Sequence, residues 1–222
     1  MAQTTVICGA SRGIGLEMAR QASARGDVVF ATARRPSDEL DAVSATVLTC
    51  DVTDEASLKA AAAAIAGPVD LLVCNAGIFR GRGGMDAEDT GADAWAEVLM
   101  TNVAGPFLAV RAFLPKMRQP GDSVAIVSSI MASSGQAPGG AYLYRASKAG
   151  ATNVARNLAS DLQHQGIAVG AYHPGWVRTD MGGTGADIGV EESAAGLLAR
   201  FEALSMETTG VFEDYRGRAI PF

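Results

Sequence analysis

Tyr144 and Lys148 stand four residues apart, in Tyr144-Arg145-Ala146-Ser147-Lys148. On a helix that spacing puts both side chains on one face, one turn apart. The chain has 4 tyrosines and only 3 lysines in 222 residues, so chance supplies about 0.05 such pairs. A cation beside a phenol stabilises the phenolate, so Lys148 is expected to lower a Tyr144 pKa that is ordinarily about 10. Such a tyrosine gives or takes a proton nearer working pH. Upstream, Ser128-Ser129 ends a β-branched apolar run, where a hydroxyl could donate to a substrate carbonyl as charge gathers on its oxygen. Ser133 and Ser134 lie further into the next loop. His164 and His173 sit in no context that would activate a serine. With no clustered cysteine or acid they offer no metal-ligand spacing, and no metal is expected.

A second chemical feature lies at the N-terminal end. Cys8-Gly9-Ala10-Ser11-Arg12-Gly13-Ile14-Gly15 joins an apolar run to a helical pattern. Glycines there permit a tight turn and let backbone approach a pyrophosphate, while the helix start offers free N–H groups and a positive dipole end. The next strand end, Thr32-Ala33-Arg34-Arg35, carries no acid to take a ribose 2′-hydroxyl. Arg34 and Arg12 are instead suited to a 2′-phosphate. NADP(H) is therefore favoured, with NAD(H) possible.

These groups must be held by regular elements. Apolar runs at Thr4–Cys8, Asp27–Ala33, Ala45–Thr49, Val69–Cys74, Ser123–Ser128, Ile167–Tyr172 and Val211–Glu213 read as strands. Between them, helices are expected over Gly13–Arg25, Asp54–Ala66, Asp93–Lys116, Tyr142–Gln165 and Glu191–Leu204. The long Asp93–Lys116 helix should bend near Gly105-Pro106, with Arg111, Lys116 and Arg118 complementing its C-terminal dipole. Trp95 on this helix is expected in packing. Arg80–Thr90 is a glycine-rich loop. Alternation of this kind implies a single-domain, doubly wound α/β fold over 1–222: a parallel sheet of about seven strands with helices on both faces. Ligands then bind beyond the carboxyl ends of the strands.

Composition narrows the partners. Hydrophobic residues are 48% and charged residues 19%, as in a globular chain, and the net charge of −6 argues against nucleic acid. No run of 18 apolar residues is present, so no membrane partner is expected, and no secretory signal is evident. Cys8, Cys50 and Cys74 read as buried free thiols in a cytoplasmic, reducing setting.

The ordered set of motifs, from Gly9-x-x-x-Gly13-x-Gly15 through Asp51-Val52-Thr53, Asn75-Ala76-Gly77, Asn102, Ser128-Ser129 and Tyr144-x-x-x-Lys148 to Pro174-Gly175, resembles the short-chain dehydrogenase/reductase family over essentially the whole chain. The resemblance implies a Rossmann-type fold and a nicotinamide cofactor. It implies that Asp51 and Val52 flank the adenine, and that Asn75, Ala76 and Gly77 line the cofactor. Lys148 would hydrogen-bond the nicotinamide ribose, while Pro174, Gly175, Val177 and Thr179 would bound the nicotinamide end. Asn102 would hold a water in a proton relay with Lys148. The family pattern puts the catalytic serine at Ser129, with Ser128 as fallback, and reads an insertion of about two residues in the loop 132–141. Within the family, Tyr142–Lys148, His173–Met181 and the ending Tyr215–Phe222 look most like the C-factor-like and sniffer-type carbonyl reductases. Homodimers or homotetramers through the two long helices are expected.

The implied activity is hydride transfer between nicotinamide and a carbonyl or secondary alcohol, with Tyr144 as general acid/base, Ser129 orienting the oxygen and Trp176 touching substrate. The segment after Pro174-Gly175 is brief, with Gly182-Gly183-Thr184-Gly185 forming a small substrate loop at about 180–190. An NADP(H)-binding sensor of C-factor type is the alternative. Epimerisation or dehydration on the same scaffold is a third reading.

Overall fold

The computed structural model describes residues 2–117 and 119–222. Met1 and Arg118 lie outside them. Seven strands are described: β1 Thr4–Cys8, β2 Val28–Ala33, β3 Thr46–Thr49, β4 Leu71–Cys74, β5 Ser123–Val127, β6 Ala168–His173 and β7 Phe212–Asp214. They form one sheet in the order β3-β2-β1-β4-β5-β6-β7, and all six pairings are parallel. The chain builds β1, β2 and β3 outward and then returns to place β4 on the other side of β1. The strand ends at β1 and β4 therefore form the switch point where ligands bind such sheets.

Both faces are covered, which is why β4 and β5 are continuous apolar or small-residue runs, buried throughout, rather than alternating ones. Helices α1 (Gly13–Ala24) and α7 (Val190–Glu202) bring Met18, Ala22, Leu197 and Phe201 to one face. Helices α3 (Glu55–Ala64), α5 (Gly105–Phe113) and α6 (Tyr142–Leu162) bring Leu58, Phe113, Ala151 and Leu158 to the other. A short helix, α2 (Asp38–Asp41), is capped by the Ser37 hydroxyl and was not signalled by periodicity, being a single turn.

The long helix departs from one continuous rod. Helix α4 (Ala92–Leu99) passes into a π turn, Met100–Ala104, before α5 begins. Pro106 lacks the N–H that an α-helix would direct to the Asn102 carbonyl, so the expected bend takes the form of a widened turn around Asn102. The helical stretch Ala92–Lys116 is long and apolar enough to cross a membrane by length and composition. Here it packs Val98, Val110 and Phe113 into the protein. Trp95 is partly buried against Val98 and Leu143 in the same packing. Arg111 pairs with Glu55 at 2.6 Å, and Lys116 donates to the Ile65 carbonyl at 2.6 Å.

Candidate active site

The turn after β1 crosses the turn after β4. Gly9 has φ +88°, and a Cβ there would lie 2.6 Å from the Ala76 Cα, so this crossing needs a residue with no side chain. Asn75 Nδ2 donates to the Gly9 carbonyl at 2.7 Å and locks the two turns together. Gly15 is buried in the same crossing. Helix α1 starts here with Arg12 in extended backbone, no side chain capping it and no acid in its first turn. Its first N–H groups, Gly13 and Ile14 among them, suit an anion rather than a carboxylate of the protein's own.

Neighbouring loops close around this turn. Ser37 donates to the Ser11 carbonyl at 2.8 Å, which joins the turn carrying Arg12 to the loop carrying Arg34 and Arg35. All three arginines are exposed. Asp51 accepts from the Thr53 N–H at 2.9 Å and the Thr53 hydroxyl at 2.7 Å. Partial burial raises its pKa, but these bonds and the Arg34 charge outweigh it and hold the carboxyl below its ordinary value. Val52 beside it is buried. On the far side, Pro174 and Gly175 follow β6, Val177 is buried, and the Thr179 side chain faces Gly13. His173, just before them, is pushed down to about 4 by burial and is neutral at physiological pH.

Tyr144, Ser147 and Lys148 lie on the stripe of α6 that faces the sheet, not on its outer surface. The Ser129 hydroxyl lies close enough to the Tyr144 phenol to act on its titration, and its Oγ accepts from the Met131 N–H at 3.1 Å. Ser128 is 1% exposed and directed away. Its hydroxyl bonds Thr152 Oγ1 at 2.6 Å and the Lys148 carbonyl at 3.2 Å. Ser133 is buried and Ser134 is exposed in the following loop. The Ser128 hydroxyl is thus spent on α6, and the Ser129 hydroxyl is not.

Lys148 Nζ donates to the Val127 carbonyl at 2.8 Å and sits 5.6 Å from the Tyr144 ring centroid. Asn102, in the π turn, accepts from the Ile78 N–H at 2.8 Å and donates to the Ile78 carbonyl and to Ser147 Oγ, each at 2.9 Å. A Cβ on Gly77 would lie 3.3 Å from Lys148 Nζ and 3.4 Å from Asn102 Oδ1. The missing side chain therefore leaves a gap that both groups border, at the end of β4.

One expectation is corrected. Lys148 does not lower the Tyr144 pKa in this arrangement. Burial pushes the phenol up to about 12, against the opposing effects of the nearby Ser129 hydroxyl and the Arg82 charge. Burial also pushes Lys148 down to about 8, and its Nζ is committed to the Val127 carbonyl rather than to the phenol.

Three residues escaped the sequence reading. Phe79 stacks on Tyr144, with ring centroids 4.2 Å apart and planes 16° apart. Arg82 lies 4.4 Å over the Phe79 ring and donates to the Met181 carbonyl. Asp180 pairs with Arg12 at 2.7 Å. All three sit in irregular segments whose spacing carries no period, so only the fold could bring them in. Trp176 is 54% exposed and donates to the Gly182 carbonyl at 2.9 Å. The loop 176–189 is thus held to both the glycine turn and the segment 79–82. Across the mouth, Ala141 starts α6 in the left-handed region (φ +46°), its N–H donating to the Gly83 carbonyl at 2.9 Å.

A family profile for short chain dehydrogenases matches residues 3–187. The C-signal protein of Myxococcus xanthus is 38% identical over 161 residues, covering 70% of this chain and 94% of that protein. The NADPH-bound carbonyl reductase from chicken fatty liver superposes with a TM-score of 0.91 at 31% identity, covering 100% of this chain and 99% of the other. Carbonyl reductase Sniffer of D. melanogaster superposes with a TM-score of 0.92 at 26% identity, covering 100% of both.

Proposed function

This chain belongs to the short-chain dehydrogenase family, an oxidoreductase family, and from that premise we propose that it is an NADP(H)-dependent reductase of aldehydes or ketones. The single observation that carries the reading is Tyr144 and Lys148 one turn apart on the buried stripe of α6, at the carboxyl edge of the sheet, with Ser129 just past the end of β5 beside them. The bound NADPH of the chicken carbonyl reductase, together with the uncapped start of α1 and the exposed Arg12 and Arg34, supports NADP(H). Gly9, Ser11, Arg12, Gly13, Ile14 and Gly15 would hold the phosphates. Arg34, Asp51 and Val52 would hold the adenosine end. Asn75, Ala76, Gly77, Lys148, Pro174, Gly175, Val177 and Thr179 would hold the nicotinamide end. The chemistry such a cofactor supplies when bound is hydride to a carbonyl carbon.

The rest is done by side chains. Ser129 orients the substrate oxygen by donating to it, and Tyr144 delivers the proton that the oxygen gains. A phenol that stays protonated at neutral pH can supply the proton that reduction requires. Asn102 positions Ile78 and Ser147 around the Lys148 gap, and Trp176 forms a wall for substrate.

The similarity to C-signal supports a second reading, a cofactor-dependent signalling protein without essential turnover. The complete Ser129, Tyr144 and Lys148 set favours catalysis, because a binder gains nothing from a buried proton donor. Loss of NADPH absorbance against a panel of aldehydes and ketones tests the choice. Oxidation with at least one of them is expected; tight NADPH binding with no oxidation by any would favour the signalling reading.

Two further proposals follow from the chain's surface and thiols. Leu99, Met100 and Phe107 are exposed along α4, the π turn and α5, which supports a homodimer or homotetramer through this helical stretch. The three free, buried cysteines support a reducing, cytoplasmic location.

A further inference from the structure

We propose that Arg82 is a specificity-determining residue that selects carbonyl substrates bearing a carboxylate at the far end of an apolar body. The proposal rests on the reductase reading above and names the substrate class for that site.

Arg82 stands two ring-stacking steps from the proton donor: 4.2 Å from Tyr144 to Phe79, and 4.4 Å from Phe79 to the guanidinium. A substrate whose carbonyl oxygen meets the Ser129 and Tyr144 hydroxyls extends past the edge of Phe79 to reach it. On the other side, Arg82 holds the Met181 carbonyl, and Trp176 holds the next carbonyl along, that of Gly182. Arg82 therefore contacts the ring stacked on Tyr144 on one side and, on the other, the carbonyl next to the one that Trp176 holds. Trp176 and Met181 are both exposed apolar groups at this rim, so the wall suits an apolar or planar body.

The pairing of Arg82 is the second observation. Its neighbour Arg80 is taken by Asp89 at 3.2 Å and Glu97 at 2.7 Å. Among the described residues no carboxylate pairs with Arg82. Its one hydrogen bond goes to a backbone carbonyl, in a chain whose net charge is −6. A guanidinium has five N–H donors in a planar fork that matches a carboxylate, so several remain for a ligand.

The experiment compares 4-formylbenzoate with its neutral methyl ester, methyl 4-formylbenzoate. Binding of each to the enzyme saturated with NADP⁺ is measured by calorimetry for the native protein, Arg82→Gln and Arg82→Lys. The acid is expected to bind native enzyme roughly tenfold tighter than the ester, which is about 1.4 kcal/mol. Arg82→Gln should bring that ratio to about one, and Arg82→Lys should keep part of it, since Lys retains the charge but not the fork. Equal binding of acid and ester by native enzyme overturns the proposal. So does an Arg82→Gln variant that weakens both compounds equally, because that is the mark of a residue that only ties down Met181. Turnover of the same compounds with NADPH is read separately. Acid-selective binding that depends on Arg82, without NADPH oxidation by these compounds or by the aldehyde and ketone panel, would uphold the anion site and sink the reductase reading.

Discussion

Arg12 and Asp180 lie 168 residues apart in the chain and form an ion pair at 2.7 Å between the glycine turn and the 176–189 loop. Both side chains are about three-quarters exposed, at 76% and 77%, so the pair is screened and contributes little to stability. Its importance is competition. The guanidinium suited to a 2′-phosphate already has a carboxylate beside it.

Asp180→Asn should therefore strengthen NADPH binding, by up to about fivefold, with little change for NADH. Arg12→Gln should weaken NADPH by about tenfold and reduce the preference over NADH. Fluorescence titration of both nucleotides reads the ratio. An Arg12→Gln protein that still distinguishes the two nucleotides as the native protein does would show that another group, with Arg34 next in line, takes the phosphate.

The serine assignment has a direct test. Ser129→Ala and Tyr144→Phe should each lower turnover by about 10²-fold or more while NADPH still binds. Ser128→Ala should act mainly through stability, because its hydroxyl is spent on Thr152 and the Lys148 carbonyl. Near-native turnover in Tyr144→Phe would sink the mechanism.

The buried pair Lys148 and Tyr144 predicts a pH signature. Lys148 has its pKa lowered by burial to about 8 from 10.5, so the unfolded chain binds more protons in between. Its contribution to stability rises as pH climbs from about 8 toward 10.5. Tyr144 is raised from 10.0 to about 12, so its contribution is full below 10 and falls as pH rises beyond it. Denaturation of native protein and Lys148→Met from pH 7.5 to 10 isolates the lysine. The stability advantage of the variant should shrink steadily across that range, and a constant difference would count against a desolvated ammonium.

Asn102 holds both backbone groups of Ile78 from inside the π turn and also bonds Ser147. Asn102→Leu leaves the Ile78 N–H and carbonyl without these partners in a largely buried place. The expected cost is about 2 kcal/mol or more in chemical denaturation. Activity should fall further than stability explains, since Ile78 leads directly into Phe79, the ring stacked on Tyr144. Stability within error of native would show that water replaces the side chain.

Much of this molecule is written locally. The strand runs, the glycine turn at Gly9–Gly15 and the Tyr144–Lys148 spacing are short-range patterns, and each strand boundary in the structure falls within two residues of the pattern that announces it. A parallel sheet buried on both faces needs continuous apolar strands, and helices need periodic stripes, so composition and period suffice to find them. Three matters needed the tertiary structure. The distinction between Ser128 and Ser129 depends on which hydroxyl is spent on α6: Ser128 bonds Thr152 and the Lys148 carbonyl, a commitment that sequence spacing does not encode. The direction of the Tyr144 shift depends on burial under Phe79, which outweighs a lysine that the fold directs to Val127 instead. The placement of Arg82 and Asp180 depends on two irregular loops meeting over the strand ends, contacts made across about 100 and 168 residues of chain. Local periodicity specifies elements because hydrogen bonding and burial repeat within them. It carries no signal for contacts between loops, whose geometry is set only once the sheet has brought their ends together.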